Sequence, residues 1–144
     1  MSESAAGRRP NILFMCVANS VRSQMAEGLA RIIFGDKAHI QSAGAFAYDL
    51  HPVAVRVMGE IGIDISDQLS KSVDTINLSD IDIIVVLCKE QVCPPNTPKA
   101  KRYEWPMPDP SQPAKTDEER LKRFRDVRDE LQKKIEELLK ELGF

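Results

Sequence analysis

The seven residues 81–87 (IDIIVVL) constrain the fold of this chain more than any other part of its sequence. They are almost continuously apolar and rich in β-branched side chains, which is typical of a strand covered on both faces in a parallel sheet. Parallel strands need long crossover connections, usually helices, between them. We therefore expect the rest of the chain to alternate helices with strands.

The first half of the chain shows that alternation. Residues 11–15 form a short apolar run that ends at Cys16, and apolar residues then recur at helical spacing from Met25 to Ile33. This pattern predicts a strand, a loop and an amphipathic helix. Three further elements are expected before residue 81: a strand at residues 39–42 closed by Gly44, a helix from Pro52 to Gly62, and a short helical piece between residues 70 and 78.

The second half ends in one long helix. Thr116 and Glu119 have the spacing of a capping box, and apolar residues follow every three or four positions as far as Leu142. Between residue 87 and this helix we expect a last strand at residues 100–105 and a proline-rich loop at residues 105–113. The charged residues of the helix predict a solvated face with ion pairs at Glu119–Arg123, Asp129–Lys133 and Glu136–Lys140.

Together these elements predict a single α/β domain over residues 11–144, with a four-stranded, mostly parallel sheet and helices on both faces, after a flexible tail at residues 1–10. The chain has 20 basic and 22 acidic residues, and this balance gives no electrostatic case for binding nucleic acid. We expect no membrane span and no signal peptide, because no apolar stretch has the required length. A cytoplasmic location follows, in which the three cysteines stay reduced.

The segment 16–23 (CVANSVRS) joins the first strand to the first helix, at the edge of the sheet where α/β proteins bind ligands. Backbone N–H groups, the helix dipole and the Arg22 guanidinium all favour a phosphate-type oxyanion there. The same positive groups stabilise the thiolate of Cys16 relative to its thiol, so that Cys16 becomes a nucleophile. Asn19 tolerates a left-handed turn, and the Ser23 hydroxyl can donate to the thiolate. The predicted oxyanion-binding residues are Val17, Ala18, Asn19, Ser20, Val21, Arg22 and Ser23.

A purely structural interpretation of this loop also exists, in which Cys16 is a buried apolar residue, Arg22 pairs with a surface carboxylate and Ser23 only caps the helix.

Residues 16–28 (CVANSVRSQMAEG) resemble the active-site loop and following helix of the low-molecular-weight protein tyrosine phosphatase fold, and most closely those of the thioredoxin-coupled arsenate reductases. The likeness continues at Ser42-Ala43-Gly44, at residues 62–66 (GIDIS), at Cys88 and at the Asp109–Pro110 pair. A phosphatase-type oxyanion loop after the first strand is what this resemblance implies.

Two further thiols bear on which of these activities the chain has. If the strand that ends at Cys88 lies beside the strand that ends at Cys16, their backbones are about 5 Å apart, within the range that a disulfide spans. Cys93 lies in a proline-rich segment from which it can take over the disulfide. Alternatively, Cys88 is a small buried apolar residue and Cys93 is incidental. A zinc site is disfavoured by the cysteine spacing, and no metal site is predicted.

The resemblance implies a sequence of steps for these residues. Cys16 attacks arsenate, Asp109 protonates the departing oxygen, Cys88 attacks Cys16 and releases arsenite, and Cys93 attacks Cys88. Thioredoxin or another thiol reductant then reduces the last disulfide, with no tightly bound cofactor. Phosphate and sulfate are expected to compete with arsenate for the loop.

Two other functions remain open. A low-molecular-weight protein tyrosine phosphatase would use the same loop, but phosphatases of this fold usually carry tyrosines directly after the Asp-Pro pair. Ser111 and Gln112 stand there, which predicts no aromatic wall and a small inorganic substrate. An oxyanion-binding or redox-sensing regulator would bind anions and form disulfides without turnover.

Some relatives bind potassium near the loop, and Asn19, Glu27 and Ser42 match their ligands. Lys71 stands in place of the fourth ligand, an aspartate, and this puts a bound potassium ion in question. We hypothesise that the Lys71 ammonium takes the cation position and pairs with Glu27, whereas the alternative is a solvated surface lysine. His39 and His51 have no matching partners, and Trp105 and Phe124 are expected in the core.

Overall fold

The sheet consists of β1 (Asn11–Cys16), β2 (His39–Gly44), β3 (Ile83–Val86) and β4 (Lys101–Glu104), in a computed structural model that describes residues 9–88 and 100–144. All neighbouring strands are parallel, and their order is β2-β1-β3-β4. The predicted four-stranded α/β fold is thereby confirmed. Residues 1–8 of the predicted tail, and Cys93, lie outside the described residues.

Three α-helices pack on one face of this sheet: α1 (Arg22–Phe34), α2 (Pro52–Gly59) and α3 (Asp117–Glu141). Their apolar residues share one buried cluster with Ile12 and Phe14 of β1, and Phe124 is fully buried in it. The opposite face is covered by a segment that contains two single 3-10 turns, Val73–Thr75 and Leu78–Asp80. Helical elements therefore cover both faces, although the three α-helices lie on one of them.

Capping explains where two of these helices begin. Pro52 is the first residue of α2, and the Nδ1 atom of His51 accepts the backbone N–H of Val53 at 3.1 Å. The Oγ1 atom of Thr116 accepts the N–H of Glu119 at 3.0 Å, so the predicted cap of α3 is confirmed. The predicted end of α2 at Gly62 was three residues too late, because that glycine has a φ of 81° and forms the turn after the helix.

Ion pairs on α3 follow the prediction only in part. The Glu119–Arg123 pair forms as predicted. Asp129 contacts its neighbour Arg128 at 2.8 Å, and that arginine also reaches Glu60 beyond α2 at 2.9 Å. Arg128 is therefore buried between helices, where the charge pattern had predicted a solvated face.

The short helical piece expected between residues 70 and 78 is a single 3-10 turn, Val73–Thr75, and a second such turn begins at Leu78. The Oγ of Ser72 accepts the N–H of Asp74 at 3.2 Å, and the Oδ1 of Asn77 accepts that of Ser79 at 3.3 Å. Such local bonds offer the backbone an alternative to a continuous helix. They leave only the two 3-10 turns in this segment.

Buried polar side chains gather at the carboxyl edge of β1 and β2. A buried polar group costs free energy unless it is hydrogen-bonded, so a concentration of such groups indicates a candidate functional site. The residues are Asn19, Arg22, Ser23, Gln24, Glu27 and Ser42. Elsewhere in the chain, no helix of the described ranges is long and apolar enough to span a membrane.

Candidate active site

Cys16 is the last residue of β1 and lies at the bottom of a cavity of about 310 Å³. Its Sγ atom is 2.8 Å from the Oγ of Ser23 in the first turn of α1. The loop between them passes over the carboxyl edge of the sheet. Val17, Ala18, Ser20 and Val21 line the cavity together with Arg22 and Asp109, whereas Asn19 and Ser23 are fully buried and do not. The structure therefore brings the predicted thiol, hydroxyl, guanidinium and carboxylate to one place.

Asn19 determines the shape of the loop. It has a φ of 49°, the left-handed conformation expected for this position. Its Nδ2 atom donates to Ser23 Oγ at 2.7 Å and to Ser42 Oγ at 2.9 Å, while its Oδ1 atom accepts from Lys71 N at 2.7 Å and Gln24 Nε2 at 3.0 Å. The amide thus has two partners at each end, and the turn is held from both sides.

Gly44, at the end of β2, allows the loop to approach the sheet. A Cβ atom at this position would lie 2.6 Å from the backbone nitrogen of Asn19 and 2.7 Å from the carbonyl oxygen of Val17. Both contacts are with backbone atoms, which cannot rotate away. Only glycine fits here while the loop keeps its observed shape.

Arg22 connects the loop to the segment that carries Asp109. Its guanidinium is buried, and the Nη1 atom donates to the carbonyl oxygen of Met107 at 3.0 Å. Asp109 accepts hydrogen bonds from the hydroxyl and the backbone N–H of Ser111, at 2.6 and 2.9 Å. Burial raises the pKa of Asp109, but these bonds and the nearby Arg22 charge outweigh burial and hold it below its ordinary value.

Residues 11–143 match the family described as low molecular weight phosphotyrosine protein phosphatase. The chain belongs to this family. The protein named arsenate reductase in Bacillus subtilis is 43% identical over 128 residues, which cover 88% of this chain and 92% of the relative.

Solved structures of the family agree with this membership. A structure of an arsenate reductase in the phosphate binding state has a TM-score of 0.82 at 33% identity and covers 93% of this chain and 99% of its own. A thioredoxin-dependent arsenate reductase from Corynebacterium glutamicum has a TM-score of 0.71 at 26% identity, covering 94% of this chain and 63% of its own. The family's fold thus extends over nearly the whole chain.

Cys88 lies next to the loop that begins at Cys16, but its side chain points to the other face of the sheet. As expected, β3 neighbours β1, with Met15 opposite Val86 and the N–H of Leu87 donating to Met15 O at 2.8 Å. The buried Cys88 packs with Met15 and Val86 on the face of the sheet opposite to Ser23 and α1. Strand adjacency alone therefore does not put the two thiols in contact. Successive residues of a strand point to opposite faces of the sheet, and Cys16 and Cys88 point to different faces. Attack on Cys16 requires the backbone after Val86 to turn.

Glu27, a buried carboxylate of α1, lies behind the loop among the predicted supporting residues. The hydroxyl of Ser42 donates to it, and Arg31 donates two hydrogen bonds at 2.8 and 3.0 Å. The Lys71 ammonium lies 3.8 Å from the same carboxylate, with its side chain 31% exposed. Lys71 is thus placed next to Glu27, as the hypothesis about this residue requires.

Two aromatic residues that the sequence analysis missed line the cavity. Phe46 and Tyr48, both exposed, come from the loop after β2 and line the same cavity as Cys16. The expectation of no aromatic wall, based on Ser111 and Gln112, was therefore wrong. Their position directly after Gly44, at the same edge of the sheet, was the available signal.

His51 is a third missed residue. It lines the cavity, its backbone N–H donates to Ser20 O at 3.1 Å, and its ring packs against Phe124 in a tilted arrangement, with ring centroids 5.1 Å apart. Burial and the Arg120 charge lower the pKa of His51, against a smaller rise caused by Asp109. With Nδ1 accepting from the start of α2, the neutral ring carries its proton on Nε2.

Proposed function

We propose that this chain is an arsenate reductase that reduces As(V) to As(III) through Cys16, Cys88 and Cys93 and is recycled by thioredoxin. The observation that carries the proposal is a second buried thiol, Cys88, just beyond the end of the strand that pairs with the Cys16 strand. Phosphate ester hydrolysis needs no such thiol, because water attacks the phosphocysteine. The relatives named arsenate reductase support the same activity.

In the first step the oxyanion binds to the backbone N–H groups of residues 17–22 and to Arg22. The Cys16 thiolate attacks the arsenic of dihydrogen arsenate, an As–O bond breaks, and Asp109 gives its proton to the departing oxygen, which leaves as water. Asp109 has a low pKa in the anion-free protein. A bound anion raises that pKa by like-charge repulsion, so that the carboxyl is protonated when it is needed.

In the second step the Cys88 thiolate attacks the Cys16 sulfur. The S–S bond forms, the S–As bond breaks with its electron pair passing to arsenic, and arsenite leaves as As(III) after taking up protons. Cys93 then attacks Cys88 and frees Cys16 as thiolate. A dithiol of the thioredoxin type reduces the Cys88–Cys93 disulfide, which suits a reducing, cytoplasmic location.

A coupled assay tests this proposal. Arsenate-dependent NADPH oxidation is measured with thioredoxin and thioredoxin reductase, for the wild type and for each Cys→Ser variant. Cys16→Ser is expected to show no turnover, and Cys93→Ser to stop with a Cys16–Cys88 disulfide that mass spectrometry detects. Phosphate and sulfate are expected to inhibit competitively. Equal activity in Cys88→Ser and the wild type would exclude the relay, and anion binding without turnover would indicate a regulator.

Lys71 lies among the residues that support the loop, and we propose that its ammonium takes the place of a bound potassium ion. Its ammonium offsets the buried Glu27 carboxylate, and its backbone N–H holds Asn19. In Lys71→Ala we expect arsenate turnover to fall by about tenfold at low potassium, because a charge within 4 Å of a buried carboxylate is lost, and added potassium to restore it. Unchanged turnover without a potassium response would exclude this role. Lys115→Ala, on the surface before α3, is the control.

A phosphatase activity is the second candidate, and Phe46 and Tyr48 favour it. Aromatic side chains beside the thiol can hold the ring of an aryl phosphate. Hydrolysis of p-nitrophenyl phosphate by the wild type, lost in Cys16→Ser and kept in Cys88→Ser, would establish this activity. In Phe46→Ala and Tyr48→Ala, a rise in KM for the aryl phosphate with an unchanged KM for arsenate would assign it to these two residues.

A further inference from the structure

Two glutamines hold Asn19 from the side away from Cys16. Gln24 is fully buried in α1, and the two hydrogens of its Nε2 atom are shared among three acceptors, the backbone oxygen and Oδ1 of Asn19 and the backbone oxygen of Leu69, at 3.0 Å each. Gln68, which lies in the segment after α2, donates from Nε2 to the Oε1 of Gln24 at 2.8 Å and to its backbone oxygen at 3.0 Å. The two amides thus form a chain that ends on Asn19.

The chain of hydrogen bonds from Gln68 through Gln24 to Asn19 has a fixed direction. The Nε2 atom of Gln68 can only donate, so it selects the oxygen end of the Gln24 amide as its partner. The nitrogen end of Gln24 must then face Asn19, whose Oδ1 accepts and whose Nδ2 is turned toward the hydroxyls of Ser23 and Ser42. An amide rotated by half a turn at any point would set two donors or two acceptors against each other.

The orientation of the Asn19 amide, which Gln24 fixes together with the backbone N–H of Lys71, decides what the Ser23 hydroxyl does. Its oxygen accepts from Asn19 at 2.7 Å, and because a thiolate can only accept, the hydroxyl hydrogen is donated to the ionised Cys16 sulfur, 2.8 Å away. Ser42 is oriented by the same amide and donates to Glu27. A hydroxyl that donates to sulfur stabilises the thiolate more than the thiol, because bonds to the charged form favour it.

We propose that Gln24 and Gln68 are positioning residues, which orient Asn19 so that Ser23 donates to Cys16 and thereby set the reactivity of the Cys16 sulfur as a nucleophile. The proposal rests on the proposed function in taking Cys16 as the nucleophile. It places the control of that nucleophile partly at Gln68, which does not line the cavity.

The test replaces each amide by a side chain of similar length without a donor. Alkylation of Cys16 by iodoacetamide is followed by peptide mass spectrometry across a pH series, in the reduced full-length chain. For Gln68→Met and Gln24→Met we expect the pH midpoint of alkylation to rise by about one unit, and the rate at about pH 6 to fall about tenfold. At high pH, where the thiol is ionised in every variant, the rates should converge. Gln132→Met, on α3, is the matched control.

A merely structural role predicts a different result. Gln68→Met would then unfold at a lower temperature with the wild-type midpoint, and the proposal would be overturned. If Gln24→Met does not fold, the half-buried Gln68 decides the question alone. Arsenate turnover separates the two proposals: an unshifted midpoint in an active reductase overturns this one only, whereas a shifted midpoint in a protein that does not reduce arsenate supports it and overturns the proposed function.

Discussion

At Gly44 a single hydrogen atom in place of a methyl group lets the loop that carries Asn19 lie on the sheet. In Gly44→Ala the added Cβ would meet two backbone atoms at 2.6 and 2.7 Å, so the loop must shift. We expect a loss of about 1–3 kcal/mol of stability, as for overpacking elsewhere, and at least about a tenfold loss of kcat/KM. Chemical denaturation and steady-state kinetics measure the two effects.

Gly59→Ala is the matched control, because nothing lies within 4 Å of a Cβ at the end of α2. This change should leave activity unchanged and raise stability slightly, since alanine favours helix. Similar activity of the two variants would show that the loop does not depend on the close approach at Gly44.

Burial raises the pKa of Asp109, and Ser111 makes the largest contribution that lowers it, so the effect of removing the Ser111 hydroxyl has a predictable sign. This hydroxyl and the Ser111 backbone N–H hold the pKa of Asp109 below the ordinary value. In Ser111→Ala we expect that pKa to rise, because one bond to the carboxylate is lost. If protonated Asp109 is the acid, the alkaline limb of the pH profile of kcat/KM moves to higher pH. The same limb in Ser111→Ala and in the control Ser79→Ala would exclude Asp109 from this role.

Between α2 and α3, Glu60 accepts hydrogen bonds from Arg125 and Arg128, and these lower its pKa to about 2. A carboxyl with a depressed pKa contributes stability above its unfolded pKa, and this contribution is lost as pH falls from about 4.5 toward 2. We expect Glu60→Gln to have a lower urea midpoint than the wild type at pH 7, with the gap closing below about pH 4. Glu118→Gln, on the exposed first turn of α3, is the control, and a gap that is independent of pH would contradict this account.

Strong periodicity made some elements predictable from the sequence, whereas contacts between distant segments made others unpredictable. The buried run in β3, the cap at Thr116 and the turn from Cys16 to Arg22 are local patterns. The segment at residues 70–78 has apolar residues at helix-like spacing, but Val73, Ile76 and Leu78 pack on the second face of the sheet instead. Arg128 was placed on a solvated face because its partner, Glu60, lies 68 residues away in the chain.

The same limit applied to the candidate site. Cys16, Asn19, Arg22 and Ser23 lie within one loop, so their proximity followed from the sequence. The two hydrogen bonds from Gln68 to Gln24 join residues 44 apart in the chain, and no local pattern indicates them.

Across the whole molecule, the proposed relay requires Cys88 to leave the face of the sheet on which it packs. That movement would pull on Leu87, whose carbonyl accepts from the N–H of Met107 at 2.9 Å. In Cys93→Ser trapped as the Cys16–Cys88 disulfide, we expect the amide of Met107 to exchange hydrogen faster than in the reduced protein. The amide of Leu13, within β1, should be unchanged, and equal protection of Met107 in both states would contradict the required movement.

The carbonyl group of Met107 is also the anchor of Arg22. In the proposed relay, a displacement that begins at Cys88 would therefore reach the guanidinium of Arg22, two hydrogen bonds away. Formation of the first disulfide would then loosen the hold on arsenic in the same motion that completes its reduction. Reduction of arsenic and departure of the product would then occur in one step, with no separate opening of the site.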